Sequence, residues 1–115
     1  MDTLKKTPQF DRVYRRGKSQ GNKQLVMYVL PTKRHKTYYG IVISKKVGNA
    51  VTRNRLRRQL KEILRLGQPL AGGQDIVIVV RQTEQPLDYA VLAKSVAHLL
   101  KRHGLTAKQD MQANP

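Results

Sequence analysis

The sequence predicts a single-domain α/β (α+β) sandwich, a mixed β-sheet carrying helices in the order αβββαβα. Three observations predict it. The runs QLVMYVLP, YYGIVIS and DIVIVV are short, apolar and rich in β-branched or aromatic residues, as buried strands are. Two other segments place leucines and isoleucines at helical rather than alternating spacing. The chain has 115 residues and no cysteine, so one hydrophobic core, large enough at this length, supplies its stability without disulfides.

The elements follow in order. TPQFDRVYRRG, from Thr7 to Gly17, reads as a short helix with Thr7 as cap, Pro8 in the first turn and Gly17 as stop. Phe10, Val13 and Tyr14 share one of its faces. Gly17 to Asn22 is a polar loop with room for a short edge strand. QLVMYVLP is a strand closed by Pro31, TKRHKT a basic loop or hairpin tip, and YYGIVIS a second strand. A basic helix follows, with Thr52 as its expected cap and Gly67 and Pro69 as its stop. QPLAGGQ is a turn and DIVIVV the last strand. The final helix runs from about Leu87 to His103, capped by Asp88 and ended by Gly104. Its apolar stripe is Tyr89, Leu92, Val96, Leu99 and Leu100. The expected domain is 1–104; residues 105–115 lack periodicity and read as a disordered tail.

The segment SKKVGNAVTRNRLRRQLKEILR, from Ser44 to Arg65, carries the strongest functional signal. Lys45, Lys46, Arg53, Arg55, Arg57, Arg58, Lys61 and Arg65 crowd into it with Glu62 as the one acid. Unpaired cations cannot settle in a core, so they face solvent or a polyanion. The segment is nevertheless a folded helix. At about 100° per residue, Leu56, Leu60, Ile63 and Leu64 fill one core-facing sector. Arg53 and Arg57 border that stripe; Asn54, Arg58, Lys61 and Arg65 form the next flank, and Arg55 lies on the far side. Cations near a helix start oppose its macrodipole by about several tenths of a kcal/mol each. With Glu62 alone available for intrahelical pairing, a bound anion is the better explanation of that arrangement.

The whole chain agrees. Its 23 Lys and Arg against 7 Asp and Glu give a net charge of +16, the signature of a nucleic-acid partner. An anionic membrane is the weaker reading. The N-terminal residues lack the apolar core of a signal peptide and no segment is long enough to span a bilayer, so the expectation is a soluble, cytoplasmic protein. Side-chain catalysis is poorly supported, since the seven acids show no paired spacing and the three histidines no metal-ligand spacing. His35, within the basic loop, suits phosphate contact. Arginine forks suit phosphate oxygens, and Asn54 among them reads either as a donor to phosphate or 2′-hydroxyl, or as a local cap. Phe10 and Tyr14, one turn apart, and Tyr28 on the first long strand are candidates to stack on single-stranded bases.

FDRVYRRGK, LVMYVLP and IVISKKVGNAVTRNRLRRQLKE together resemble the protein subunits of bacterial ribonuclease P. The likeness covers about Leu4 to His103, and SKKVGNAVTRNRLRR is its specific part. The resemblance implies an α/β sandwich in which the basic helix joins parallel strands by a left-handed crossover, which spacing could not have revealed. It implies a non-catalytic subunit of an endoribonuclease that removes the 5′ leader of precursor tRNA. The partner ribonuclease P RNA and its magnesium ions then carry the chemistry, and the protein binds no cofactor of its own. Lys45, Lys46, Asn49, Arg53, Asn54, Arg55, Arg57, Arg58, Lys61 and Arg65 would contact the catalytic RNA. Phe10, Tyr14, Arg16 and Tyr28 would line the cleft for the leader. Leu25 stands where relatives carry an aromatic, implying a smaller stacking platform. The free protein is expected to be a monomer that binds neither membrane nor DNA. A ribosomal protein or general RNA chaperone is the alternative that charge and size leave open.

Overall fold

The computed structural model describes residues 2–67 and 73–105. Its elements are β1 (Asp2–Thr3), α1 (Thr7–Arg16), β2 (Lys18–Gly21), β3 (Leu25–Pro31), β4 (Tyr38–Ile43), α2 (Ala50–Leu66), β5 (Gln74–Val80) and α3 (Tyr89–Arg102). The strands form one mixed sheet in the order β1-β4-β5-β3-β2. β4 and β5 are parallel neighbours joined through α2, while β3 runs antiparallel to both β5 and β2. Parallel neighbours need such a crossover, which is why the basic helix lies between two strand sequences.

The sheet has two differently covered faces. Leu25, Met27 and Val29 alternate along β3 toward the face packed by α2 and α3, where the larger core lies. Leu56, Leu60, Ile63 and Leu64 of α2 and Leu92, Val96, Leu99 and Leu100 of α3 complete that core, as their spacing predicts. β5 is central, with Ile76, Ile78 and Val80 in the larger core and Val77 in the smaller one. A strand covered on both sides needs apolar residues throughout, hence its unbroken run. The smaller core, Leu4, Val13 and Val77, sits under α1 alone.

Several boundaries differ from those expected. A two-residue strand, β1, precedes α1 and pairs in parallel with Tyr38 and Tyr39 of β4; nothing in its short polar sequence marks it. Lys6, not Thr7, occupies the cap position of α1, and the Gln9 side-chain oxygen accepts from the Lys5 and Lys6 amides at 2.9 Å each. α2 starts two residues before the expected cap Thr52. Its N-cap is Asn49, whose side-chain oxygen accepts from the Thr52 amide at 2.9 Å. Asn49→Ala is expected to cost about 1 kcal/mol in chemical denaturation, whereas Thr52→Ala should cost less.

Tyr89 is exposed rather than part of the α3 stripe, and Ser95 is buried in its place. The Ser95 hydroxyl donates to the side-chain oxygen of Asn22 at 2.9 Å, fastening α3 to the turn between β2 and β3. His103 lies nearby with Nε2 2.9 Å from the Met27 carbonyl, and burial holds its pKa below the usual histidine value. Leu105, assigned to the tail, is buried and its amide donates to the Leu100 carbonyl. The rest of the expected tail, and residues 68–72 of the expected turn, lie outside the described residues. No helix among the described residues is long and apolar enough to cross a membrane.

Candidate nucleic-acid interface

The cations of α2 divide into those tied down and those held free. Arg53 donates to the Gly48 carbonyl at 3.2 Å, and Arg57 to the Ile41 carbonyl on β4 at 3.0 Å. Arg55 is not isolated on a far side: it reaches the Leu87 carbonyl at 3.2 Å, bridging to the loop before α3. Arg65 pairs with Glu62 at 2.6 Å, which lowers the carboxyl's pKa. Arg58 and Lys61 are exposed and make no hydrogen bond or ion pair with the described residues. Lys45 and Lys46, in the exposed turn ahead of α2, are equally uncommitted. Asn54 is exposed in the second turn of α2, so Asn49 and not Asn54 is the cap. With its oxygen already accepting from Thr52, Asn49 still has its amide nitrogen to donate to a ligand.

The second surface follows from strand register. Gly40, Val77 and Tyr28 stand side by side across β4, β5 and β3. α1 lies along this row: Phe10 rests on Gly40, Val13 shares a core with Val77, and Tyr14 meets Tyr28. A Cβ on Gly40 would stand 2.4 Å from the Phe10 ring, so the glycine is what lets the aromatic settle on the strand. The Tyr14 and Tyr28 rings pack edge to face, centroids 4.9 Å apart at 81°. Tyr14 remains 36% exposed, and burial, then Tyr28 and Asp11, raises its pKa, so its hydroxyl stays neutral.

The next row along the strands is Val42, Val79 and Val26. α1 does not cover it fully, and all three remain partly exposed. This row, beside α1 and only partly covered, is the candidate groove. Leu25, by contrast, points into the larger core on the opposite face, so its identity has no bearing on a platform in this groove. Arg16 ends α1, exposed, two residues beyond Tyr14.

The two surfaces meet at the outer edge of β4. Among the described residues β1 pairs with only the first two residues of that strand, and beyond Tyr39 the Ile41 carbonyl takes its bond from Arg57. There a hollow of about 240 Å³ brings together Phe10, Gly40, Ile41, Arg57 and Lys61. An aromatic ring and cations therefore share one site although more than forty residues separate them. Sequence reasoning missed the Ile41 carbonyl that fixes Arg57, and it missed Gly40 as the seat of Phe10. The glycine interrupting YYGIVIS was the available signal for the latter.

The sheet, its unevenly covered faces and the ordered basic helix define a small, basic, mixed-sheet RNA-binding protein. The family model for ribonuclease P matches residues 1–104. The chain is 44% identical over 101 residues to the ribonuclease P protein component of Clostridioides difficile, spanning 86% of this chain and 89% of that one. It is 39% identical over 114 residues to the component from Lachnoclostridium phytofermentans, spanning 98% of each. The solved RNase P protein of Staphylococcus aureus superposes with a TM-score of 0.84 at 31% identity, over 92% of this chain and 98% of that one. For Thermotoga maritima the TM-score is 0.78 at 28% identity, over 89% and 97%.

The chain belongs to the ribonuclease P protein family. Its role is that of the protein subunit of a tRNA-processing endoribonuclease, and the ribosomal or chaperone alternative is not favoured.

Proposed function

We propose that the chain holds the catalytic RNA with the free cations of α2 and its preceding turn, and takes the 5′ leader of precursor tRNA in the groove beside α1. The convergence of Phe10, Arg57 and Lys61 at the β4 edge carries this reading, because a strand leaving the groove would pass directly onto the cations. Phe10, Tyr14 and Tyr28 supply ring faces and edges for bases, while Arg16 supplies charge at the end of α1. Lys45, Lys46, Arg58 and Lys61, with Asn54 beside them, are the groups ready to receive RNA phosphates. Arg53, Arg55, Arg57 and Arg65 act partly by fixing the shape of that surface.

Catalysis resides in the partner RNA and its magnesium ions, in a cytoplasmic ribonucleoprotein that a monomer of this chain joins. The protein neutralises phosphates and so lowers the magnesium needed. Only precursor tRNA carries a leader to fill the groove, which makes the protein favour substrate over product. The test mixes the chain, a bacterial ribonuclease P RNA and end-labelled precursor tRNA at limiting magnesium. Leader release should require both components; cleavage indifferent to the protein would reject the reading.

Arg58→Ala with Lys61→Ala is expected to weaken assembly with the catalytic RNA. The slope of log K against log salt should flatten by about 0.9 for each lost phosphate contact. Filter binding across a salt series measures it, and an unchanged slope would remove both residues from the interface.

A further inference from the structure

The free cations of α2 lean toward one edge of the sheet, where Arg58 and Lys61 share a hollow with Thr3 of the edge strand β1. The opposite edge is β2, about 19 Å away at about 4.8 Å per strand. It is basic as well. On α3, Lys94, His98 and Lys101 recur at intervals of four and three, so they stack in one exposed stripe. Neither α3 nor the segment from Lys18 to Gln24 contains an acidic residue.

The turn after β2 is fastened beside that stripe. The Asn22 side-chain oxygen accepts from the Gln24 and Leu25 amides at 3.1 and 2.9 Å, as well as from Ser95. Its amide nitrogen therefore faces α3, 3.3 Å from both the Ser95 carbonyl and His98 Nδ1. Since that nitrogen can only donate, Nδ1 accepts and the His98 ring proton sits on Nε2, a further donor. Arg81 donates to the Asn22 carbonyl at 2.9 Å and Arg102 to the Gly21 carbonyl at 3.3 Å, so both are spent on holding the turn. Lys23 is thereby set beside Val91, one turn of α3 before Lys94. Lys18 lies on the same sheet face, because it pairs directly with Val29 of the larger core. Lys18, Lys23, Lys94 and Lys101 are exposed, and none makes an ion pair or side-chain hydrogen bond among the described residues. Cations carried on a fixed turn and helix meet an anion at lower entropic cost than cations on a mobile segment.

We propose that the β2 edge, through Lys18, Lys23, Lys94 and Lys101, holds the phosphate backbone of a second RNA in trans, a paired RNA that is neither the catalytic RNA nor the substrate. The proposal rests on α2 as the seat of the catalytic RNA: an RNA held at the β1–β4 edge leaves the β2 edge facing outward. The chemistry of the stripe selects paired strands. Tyr89, the exposed ring of α3, lies more than about 100° round the helix from Lys94, His98 and Lys101, so no ring on the stripe awaits an unpaired base. Lysine ammoniums without a stacking platform act as point charges on a backbone of any sequence.

The test titrates the holoenzyme, assembled with a bacterial ribonuclease P RNA, with a labelled and fully paired RNA duplex. The variant is Lys23→Ala with Lys94→Ala and Lys101→Ala, all exposed, so the melting temperature should not move. Wild-type holoenzyme should bind the duplex more tightly than the catalytic RNA alone does. The variant should lose about tenfold or more of that affinity, with a salt slope flatter by about 0.9 for each lost contact. Its assembly with the catalytic RNA should keep the wild-type slope, and precursor tRNA should not displace the duplex. A flatter assembly slope would give the surface to the catalytic RNA, and displacement by precursor would give it to the substrate; either overturns the proposal, as does duplex binding that the variant leaves unaltered. Arg58→Ala with Lys61→Ala runs in parallel. Should that pair leave assembly unaltered while the α3 variant still loses the duplex, the basic-helix reading falls and the β2-edge surface stands.

Discussion

Replacing Tyr14 and Tyr28 together with alanine is expected to abolish most of the preference for precursor over mature tRNA. Each stacked base lost should cost roughly 1–3 kcal/mol, or on the order of tenfold to a hundredfold in affinity. The two rings buttress one another edge to face, so removing either also frees its neighbour. The pair packs with the smaller core under α1, on the sheet face opposite the one that α2 covers. Mature tRNA binding and assembly with the catalytic RNA should therefore change little. Phenylalanine at both positions should retain most of the discrimination, since the rings remain and only the hydroxyls are lost. Equilibrium binding of both tRNA forms to the reconstituted holoenzyme checks it. Equal losses for the two ligands would remove the leader from this groove.

Leu60→Ala should have the largest effect on stability. Leu60 is fully buried where α2 meets the larger core, and truncating such a leucine costs about 2–5 kcal/mol through lost transfer energy and the cavity left behind. The consequence reaches function, because the neighbours of Leu60 on α2 are the groups proposed to meet RNA. Loosening this turn would displace Lys61 and free Arg57 from its bond to the Ile41 carbonyl at the β4 edge. Thermal and urea unfolding should both show the loss, and saturating RNA should recover part of it, since a ligand that binds only the native state stabilises it. A stability loss under about 1 kcal/mol, below the range expected for a buried leucine, would mean that α2 docks chiefly through other residues.

The helices, the long strands and their faces were legible because they rest on local periodicity. Leu56, Leu60, Ile63 and Leu64 announce the inner face of α2, and LVMYVL and DIVIVV announce central strands. The cap of α2 was misplaced because both Asn49 and Thr52 can accept a backbone N–H. Which one does so depends on where the chain leaves β4. β1 was illegible because two residues carry no pattern; their pairing comes from the exposed edge of β4.

The candidate site was legible as residue types but not as an arrangement. Composition and the run from Lys45 to Arg65 pointed to a nucleic-acid partner without any structure. Which cations are free did not follow, because Arg53, Arg55 and Arg57 are tied by carbonyls of residues 48, 87 and 41, and such partners leave no trace in side-chain identity. The resemblance put an aromatic at Leu25 into the platform, yet a strand's two faces are assigned by what packs on them, and Leu25 faces the larger core.

By itself the sequence determined the mixed fold class, the inner stripe of the basic helix and the polyanionic nature of the partner, since these depend on spacing and net charge. Only the tertiary structure decided that Phe10 lies beside Arg57 and Lys61, that α1 leaves one row of the sheet open, and that Asn22 fastens the turn after β2 to α3. These are contacts between residues far apart in the chain. They are set by strand order and register, which emerge when the whole core packs at once.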